Sequence, residues 1–172
     1  MQIKKGYLIF LLLFMWLILT GCGSSSSDAQ GTSSLPTNES KVTATQGVWG
    51  NVWFWTGNFM PSVAGTTNSS GNITPVVREI FVYKATTISD VMPYSLGEFY
   101  SYIPSELVAK TSSDETGFFQ VTLSPGTYSI FVKEGSAFYA NKFDGQGRVN
   151  PVEVVPGAVT KLQIDINYQA TF

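Results

Sequence analysis

Residues 111–132 read TSSDETGFFQVTLSPGTYSIFV, and this stretch decides the fold. Phe119, Val121 and Leu123 share one face of a period-two run, the spacing of a half-buried strand. Ser124-Pro125-Gly126 then turns the chain, since proline presets one turn dihedral and glycine takes a positive φ at no steric cost. Tyr128, Ile130 and Val132 continue on the return strand, opposite Ser129, Phe131 and Lys133. Asp114 and Gly117 give a second tight turn, predicted to close a hairpin ahead of Phe118.

Working outward, the same period recurs. Val48, Gly50, Val52 and Phe54 take one face of an early run, while Trp49, Asn51, Trp53 and Trp55 take the other. Ile80 and Val82 alternate with Phe81 and Tyr83. Near the end, Leu162, Ile164, Ile166 and Tyr168 alternate with Lys161, Gln163, Asp165 and Asn167. No stretch of comparable length carries helical spacing. The pattern predicts an all-β domain over residues 46–172, an antiparallel sandwich of about seven strands. A domain of that size buries roughly two-thirds of its unfolded surface, enough to fold unaided.

The motif Thr111-x-x-Asp114-x-x-Gly117-x-Phe119, followed by Leu123-x-Pro125-Gly126-x-Tyr128-x-Ile130-x-Val132, resembles the carboxypeptidase regulatory-like domains. Val48-x-Gly50-x-Val52, Gly57 with Pro61, and Gly157 with the Leu162-Ile164-Ile166 run fit the same pattern. The resemblance implies a Greek-key sandwich of prealbumin/transthyretin-like type and a non-catalytic module for stabilising, spacing or binding. In that arrangement Tyr128 packs in the core while its hydroxyl reaches a backbone group at the sheet edge.

The N-terminus carries an address. Lys4 and Lys5 precede an apolar run over 7–19, shorter than the roughly 20 residues of a membrane-spanning helix. The run ends in Leu19-Thr20-Gly21-Cys22, which resembles the bacterial lipobox. The resemblance implies that residues 1–21 are a lipoprotein signal peptide. It also implies that the Cys22 thiol carries a diacylglyceryl group and that the new amino terminus is acylated in turn. Two or three acyl chains anchor stably, because each buried methylene contributes about 0.8 kcal/mol. Gly23 in place of an Asp implies the outer membrane, by the sorting pattern of Gram-negative lipoproteins. Residues 22–45 then read as the lipidated Cys and a flexible Ser/Gly-rich tether, with a random-coil reach of about 25 Å.

Composition removes whole classes of chemistry. The 172 residues include no His and one Cys. Ser-His-Asp and Cys-His nucleophiles, imidazole zinc sites and intramolecular disulfides are excluded. A net charge of −2 gives no electrostatic footprint for nucleic acid. Asp114 and Glu115 are adjacent in a turn and do not form an acid/base pair across a substrate. Asp144-Gly-Gln-Gly147 lacks the spaced acidic ligands of a calcium loop and reads as a plain turn. No catalytic residue, metal or cofactor is expected.

Two long connections depart from the resemblance, over 57–75 and 89–104. The first looks partly disordered. The second, with Tyr94, Tyr100 and Tyr102, is too aromatic for that. With Val48 and Val52 pointing inward, Trp49, Trp53 and Trp55 fall on the outer face, a large apolar patch that something must cover. One expectation is that the 89–104 insertion folds over that face as a second small core. Another is an open platform where a sugar or other flat ligand stacks, with Asn51 offering polar contacts. A third is a protein interface built on Trp and Tyr anchors. The leading function is structural or protein-interaction work by an envelope lipoprotein, held to the membrane through acyl chains on Cys22. The alternative is a glycan-binding surface lipoprotein whose contacts come from Trp49, Asn51, Trp53, Trp55, Tyr94, Tyr100 and Tyr102. The partner is accordingly an envelope protein or a polysaccharide.

Overall fold

A computed structural model describes residues 35–61, 70–93 and 97–172. The leader, Cys22 and Tyr94 lie outside the described residues, as do the first part of the tether and most of the Gly/Ser/Thr/Asn-rich tract after Pro61.

The described chain is a β-sandwich. Its strands are β1 (Gly47–Asn58), β2 (Asn72–Pro75), β3 (Glu79–Lys84), β4 (Met92–Pro93), β5 (Phe99–Tyr102), β6 (Leu107–Ser112), β7 (Phe118–Thr122), β8 (Gly126–Glu134), β9 (Ala137–Tyr139), β10 (Pro151–Val154) and β11 (Val159–Thr171). One sheet centres on β1, with β11 along one side and β7 then β2 along the other. The second sheet runs β4-β5-β9-β8-β3-β6, with β10 beside the first half of β8. Pairing is antiparallel throughout the described residues, apart from β1 with β11, which is parallel from Gly47 opposite Val159 to Asn58 opposite Thr171. The eleven strands exceed the expected seven because the aromatic insertion contributes β4 and β5, and short pieces such as β2, β9 and β10 fill half-length positions.

The inward faces are those that the periodicity marks. Val48 and Val52 of β1, Ile80 and Val82 of β3, Phe119 of β7, Tyr128, Ile130 and Val132 of β8, and Ile164 and Ile166 of β11 form the core between the sheets. Fully burying such side chains is the dominant favourable term, about 1.5–3 kcal/mol each.

The two turns of residues 111–132 do a different job from the one expected. The Asp114–Gly117 turn does not close a hairpin within one sheet. It carries the chain from β6 in the second sheet to β7 in the first, and Pro125-Gly126 carries it back to β8. Period-two spacing marks a strand but not the sheet that receives it. Gly117 sits at φ +76°, and a Cβ there would meet the Val52 carbonyl oxygen at 2.6 Å. Its own carbonyl accepts the Val52 N–H at 2.9 Å, so the turn is pinned onto β1. Tyr128 is buried, and its hydroxyl donates to the Ser124 carbonyl at 2.8 Å, as the motif predicts.

The aromatic insertion extends the second sheet and builds a second core on that sheet's outer side. Tyr83, Val91, Tyr100, Ile103, Phe131, Ala140 and Val149 are buried there, with Phe81 and Phe138 packed against them. The expectation of a second small core holds, but its expected place does not. The insertion pairs with β9 through Phe99 opposite Tyr139 and Tyr100 opposite Phe138, and so belongs to the sheet that lacks the tryptophans.

Candidate functional site

The outer face of the β1 sheet carries most of the sequence-nominated residues. What covers it is the end of the segment read as tether. Residues 38–46 form a strap that is bonded along this face. The Asn38 amide donates to Asn51 Oδ1 at 2.7 Å and to the Thr116 carbonyl at 3.0 Å. Lys41 Nζ meets Asp114 Oδ2 at 2.8 Å. The backbone N–H groups of Thr43 and Ala44 both donate to Gln120 Oε1. Gln46 donates to the Leu123 carbonyl and accepts from the Gly157 N–H. From Asn38 to Gln46 these partners step from the Asn51 level of β1 to its Gly47 end. The strap therefore runs antiparallel to β1.

Under it, Trp49 is 7% exposed; Trp53, one step further along β1, is 4% exposed. Lys161 Nζ lies 4.9 Å from the centre of the Trp49 indole and pairs with Glu39 of the strap at 2.7 Å. Phe118 packs beside the same indole at 6.4 Å between centroids. The Trp53 ring lies under Gly117 and Pro75. Asn51 is buried, its side-chain oxygen committed to Asn38. Trp49, Asn51 and Trp53 thus come together on one face, but Trp49 and Asn51 form the bed of the strap and Trp53 is closed over by the Gly117 turn. They offer no open surface on which a flat ligand could stack.

Asp114 anchors the strap electrostatically. Burial pushes its carboxyl up, but the Lys41 ammonium, the Thr116 hydroxyl and the backbone N–H groups of Thr116 and Phe118 outweigh that and hold it down at about 2.

Trp55 stands apart from the strap. Its indole N–H donates to Asp165 Oδ1 at 3.1 Å, while Asp165 Oδ2 receives Lys142 Nζ at 3.1 Å. The half-buried ring packs on Phe59 at 5.0 Å, and Phe59 stacks on Phe172 at 5.6 Å and 20°. Phe172 is 63% exposed and Met60 is 48% exposed. Among the described residues, the strap does not reach this aromatic part of the outer face.

Tyr100 and Tyr102 belong to the other sheet and do not join this face. Tyr100 is fully buried, edge-on to Phe131 at 5.6 Å, with its hydroxyl donating to the Gly97 carbonyl at 2.9 Å. Burial, then the nearby Glu98 carboxylate, pushes its phenol up to about 12. Tyr102 is 62% exposed. The Asp144 carboxylate is taken by Arg148 Nε at 2.6 Å and by the Gln146 and Arg148 backbone N–H groups, which makes that loop a self-closed turn.

Sequence reasoning missed Asn38 and Phe172. Asn38 sits in a polar run with nothing to mark it, apart from the tolerance of Asn for the left-handed region that it occupies at φ 57°. Phe172 follows the alternating run of β11, but strict period two would place it on the Ile166 face; the register shift that sets Phe54 opposite Ile166 and Thr56 opposite Gln169 turns it to the Trp55 side.

No family model, curated protein or solved structure matches the chain.

Proposed function

We infer that this chain is a non-catalytic, lipid-anchored envelope module whose work is structural or protein-binding. The observation that carries the reading is the strap. The segment leading from the Leu19-Thr20-Gly21-Cys22 motif is bonded along the sandwich from Asn38 to Gln46. The strap leaves residues 23–37 between the acylation motif and the first bonded residue, Asn38. The carboxypeptidase regulatory-like resemblance, carried by residues 111–132, supports a role in spacing or binding. The outer membrane is the surface that Gly23 favours.

On this reading a partner protein meets the sandwich at exposed apolar side chains, of which Tyr102 is the largest on the second sheet. Aromatic residues are favoured anchors at such contacts. The test is a photoreactive residue at Tyr102, with a control at exposed Glu153, followed by in-cell crosslinking in the native host. One near-stoichiometric envelope protein captured at Tyr102 and not at Glu153 supports the reading. Equal or absent capture at both, with polysaccharide quenching of Trp55 emission in its place, would replace it with the glycan-binding alternative.

A further inference from the structure

The two ends of the β1 face differ in a way that has an orientation in it. The strap occupies the stretch of β1 from the Asn51 level to Gly47, which carries Trp49. Because it runs antiparallel to β1, the chain enters it from the side of Trp55 and leaves it at Gly47. The half-buried rings of Trp55 and Phe59 and the exposed Phe172 therefore lie toward the end of β1 at which the strap begins. Twelve residues, 23–34, separate Cys22 from Leu35 in the sequence.

We propose that this aromatic end, built from Trp55, Phe59, Met60 and Phe172, rests in the headgroup region of the membrane that holds the acylated Cys22. The proposal relies on the lipid-anchor reading. Three properties of the patch fit a zwitterionic lipid surface. Its rings are amphipathic where it matters: the Trp55 indole N–H is engaged by Asp165 while the ring body faces Phe59 and Phe172. Such rings favour the membrane–water interface. Its exposed members, Met60 and Phe172, are uncharged and apolar. The chain as a whole is acidic, which disfavours anionic headgroups and leaves apolar contact as the attraction. Contact by a few rings is weak on its own. The tether makes it intramolecular, raising the effective concentration of the surface at the patch.

The experiment uses the full chain, purified from membranes and reconstituted in phosphatidylcholine vesicles. A fraction of the lipid carries a nitroxide close to the headgroup. Intact mass and vesicle flotation report the anchor, and the difference between wild type and Trp55→Phe isolates the Trp55 emission. Nitroxide near the headgroup is expected to lower that emission about two-fold. The Met60→Ser/Phe172→Ser double variant changes only exposed side chains and is expected to restore most of it while still floating. An acylated, floating protein whose Trp55 is untouched by the label overturns the docking and leaves the anchor standing. If that Trp55 is also shielded from acrylamide, the patch is covered by protein, such as a second copy, which equally overturns it. An unacylated chain that does not float overturns the anchor reading and the docking together.

Discussion

The Tyr139 hydroxyl donates to Asn167 Oδ1 at 2.7 Å and receives the Asn167 backbone N–H at 3.2 Å. One phenol on β9 thereby holds the edge strand of the opposite sheet. Neighbouring side chains extend the seam: Asn141 donates to the Asp165 carbonyl at 3.0 Å and Lys142 to the Gln163 carbonyl at 2.9 Å. These contacts occupy backbone groups along β11 that would otherwise invite another strand.

Replacing Tyr139 with Phe removes both bonds and leaves the Asn167 N–H without its partner. Asn167 Oδ1 keeps the Asn141 amide at 2.8 Å, so the loss falls mainly on the backbone. The expected cost is about 2 kcal/mol, read from urea unfolding at neutral pH. A Tyr139→Phe chain as stable as wild type would show that the seam contributes nothing.

The strap makes its own prediction. Asn38→Ala removes the donor that satisfies the buried Asn51 oxygen, at an expected cost of about 1–3 kcal/mol. Beginning the mature chain at Gln46 removes the cover altogether. Acrylamide should then quench Trp49 and its emission should shift to the red, while Trp53, under the Gly117 turn, should change less. Unchanged quenching in the shortened chain would mean that something other than the strap shields Trp49.

Asp114 sets the acid limit of that cover. Its carboxyl is held down at about 2 in the folded chain, against 3.8 for the free group. A depressed acid contributes stability above its unfolded pKa and loses it as the pH falls through the folded one. The strap should therefore weaken between about pH 4 and pH 2. Asp114→Asn should be less stable at neutral pH and should flatten the pH dependence in that window. Both ion-pair partners are partly exposed, so salt should blunt the Lys41–Asp114 contribution as well. The check is denaturant midpoint against pH at two ionic strengths.

The buried phenols set the alkaline limit. Burial raises Tyr100 to about 12 and raises Tyr139 further. A phenol whose folded pKa is raised contributes stability below its unfolded value near 10 and loses it as the pH rises through the folded one. Tyrosinate absorbance should show Tyr100 and Tyr139 ionising only as the sandwich unfolds above about pH 10. Smooth titration of all tyrosines in the folded state would contradict their burial.

The inner core was legible because burial on one face writes itself as period two. Val48 with Val52, Ile80 with Val82, and Ile164 with Ile166 need no other information. The Tyr128 hydroxyl was legible too, since a buried phenol at a strand start needs a nearby carbonyl. The destination of each strand was not. Both sheets read alike along the chain, so the aromatic insertion was expected over the tryptophans and lies instead on the outer side of the other sheet. The strap was illegible for a different reason. It holds by Asn38, Lys41 and Gln46, whose partners Asn51, Asp114, Leu123 and Gly157 are distant in sequence, and polar residues with distant partners look the same as a solvated linker. Trp55 was legible as outward-facing, but its neighbours Phe59 and Phe172 are far apart in the sequence and meet only because β1 and β11 end side by side, Asn58 opposite Thr171.

Acylation of Cys22 underlies both the proposed function and the membrane docking, and one measurement addresses it directly. Intact mass spectrometry of the protein extracted from the membranes of its native host gives both the first residue and its modification. The account predicts a chain beginning at Cys22 that carries a thioether-linked diacylglyceryl group, and a Cys22→Ser chain that is not retained by the membrane. A chain that begins elsewhere, or an unmodified Cys22 on a protein still bound to membranes, would contradict it.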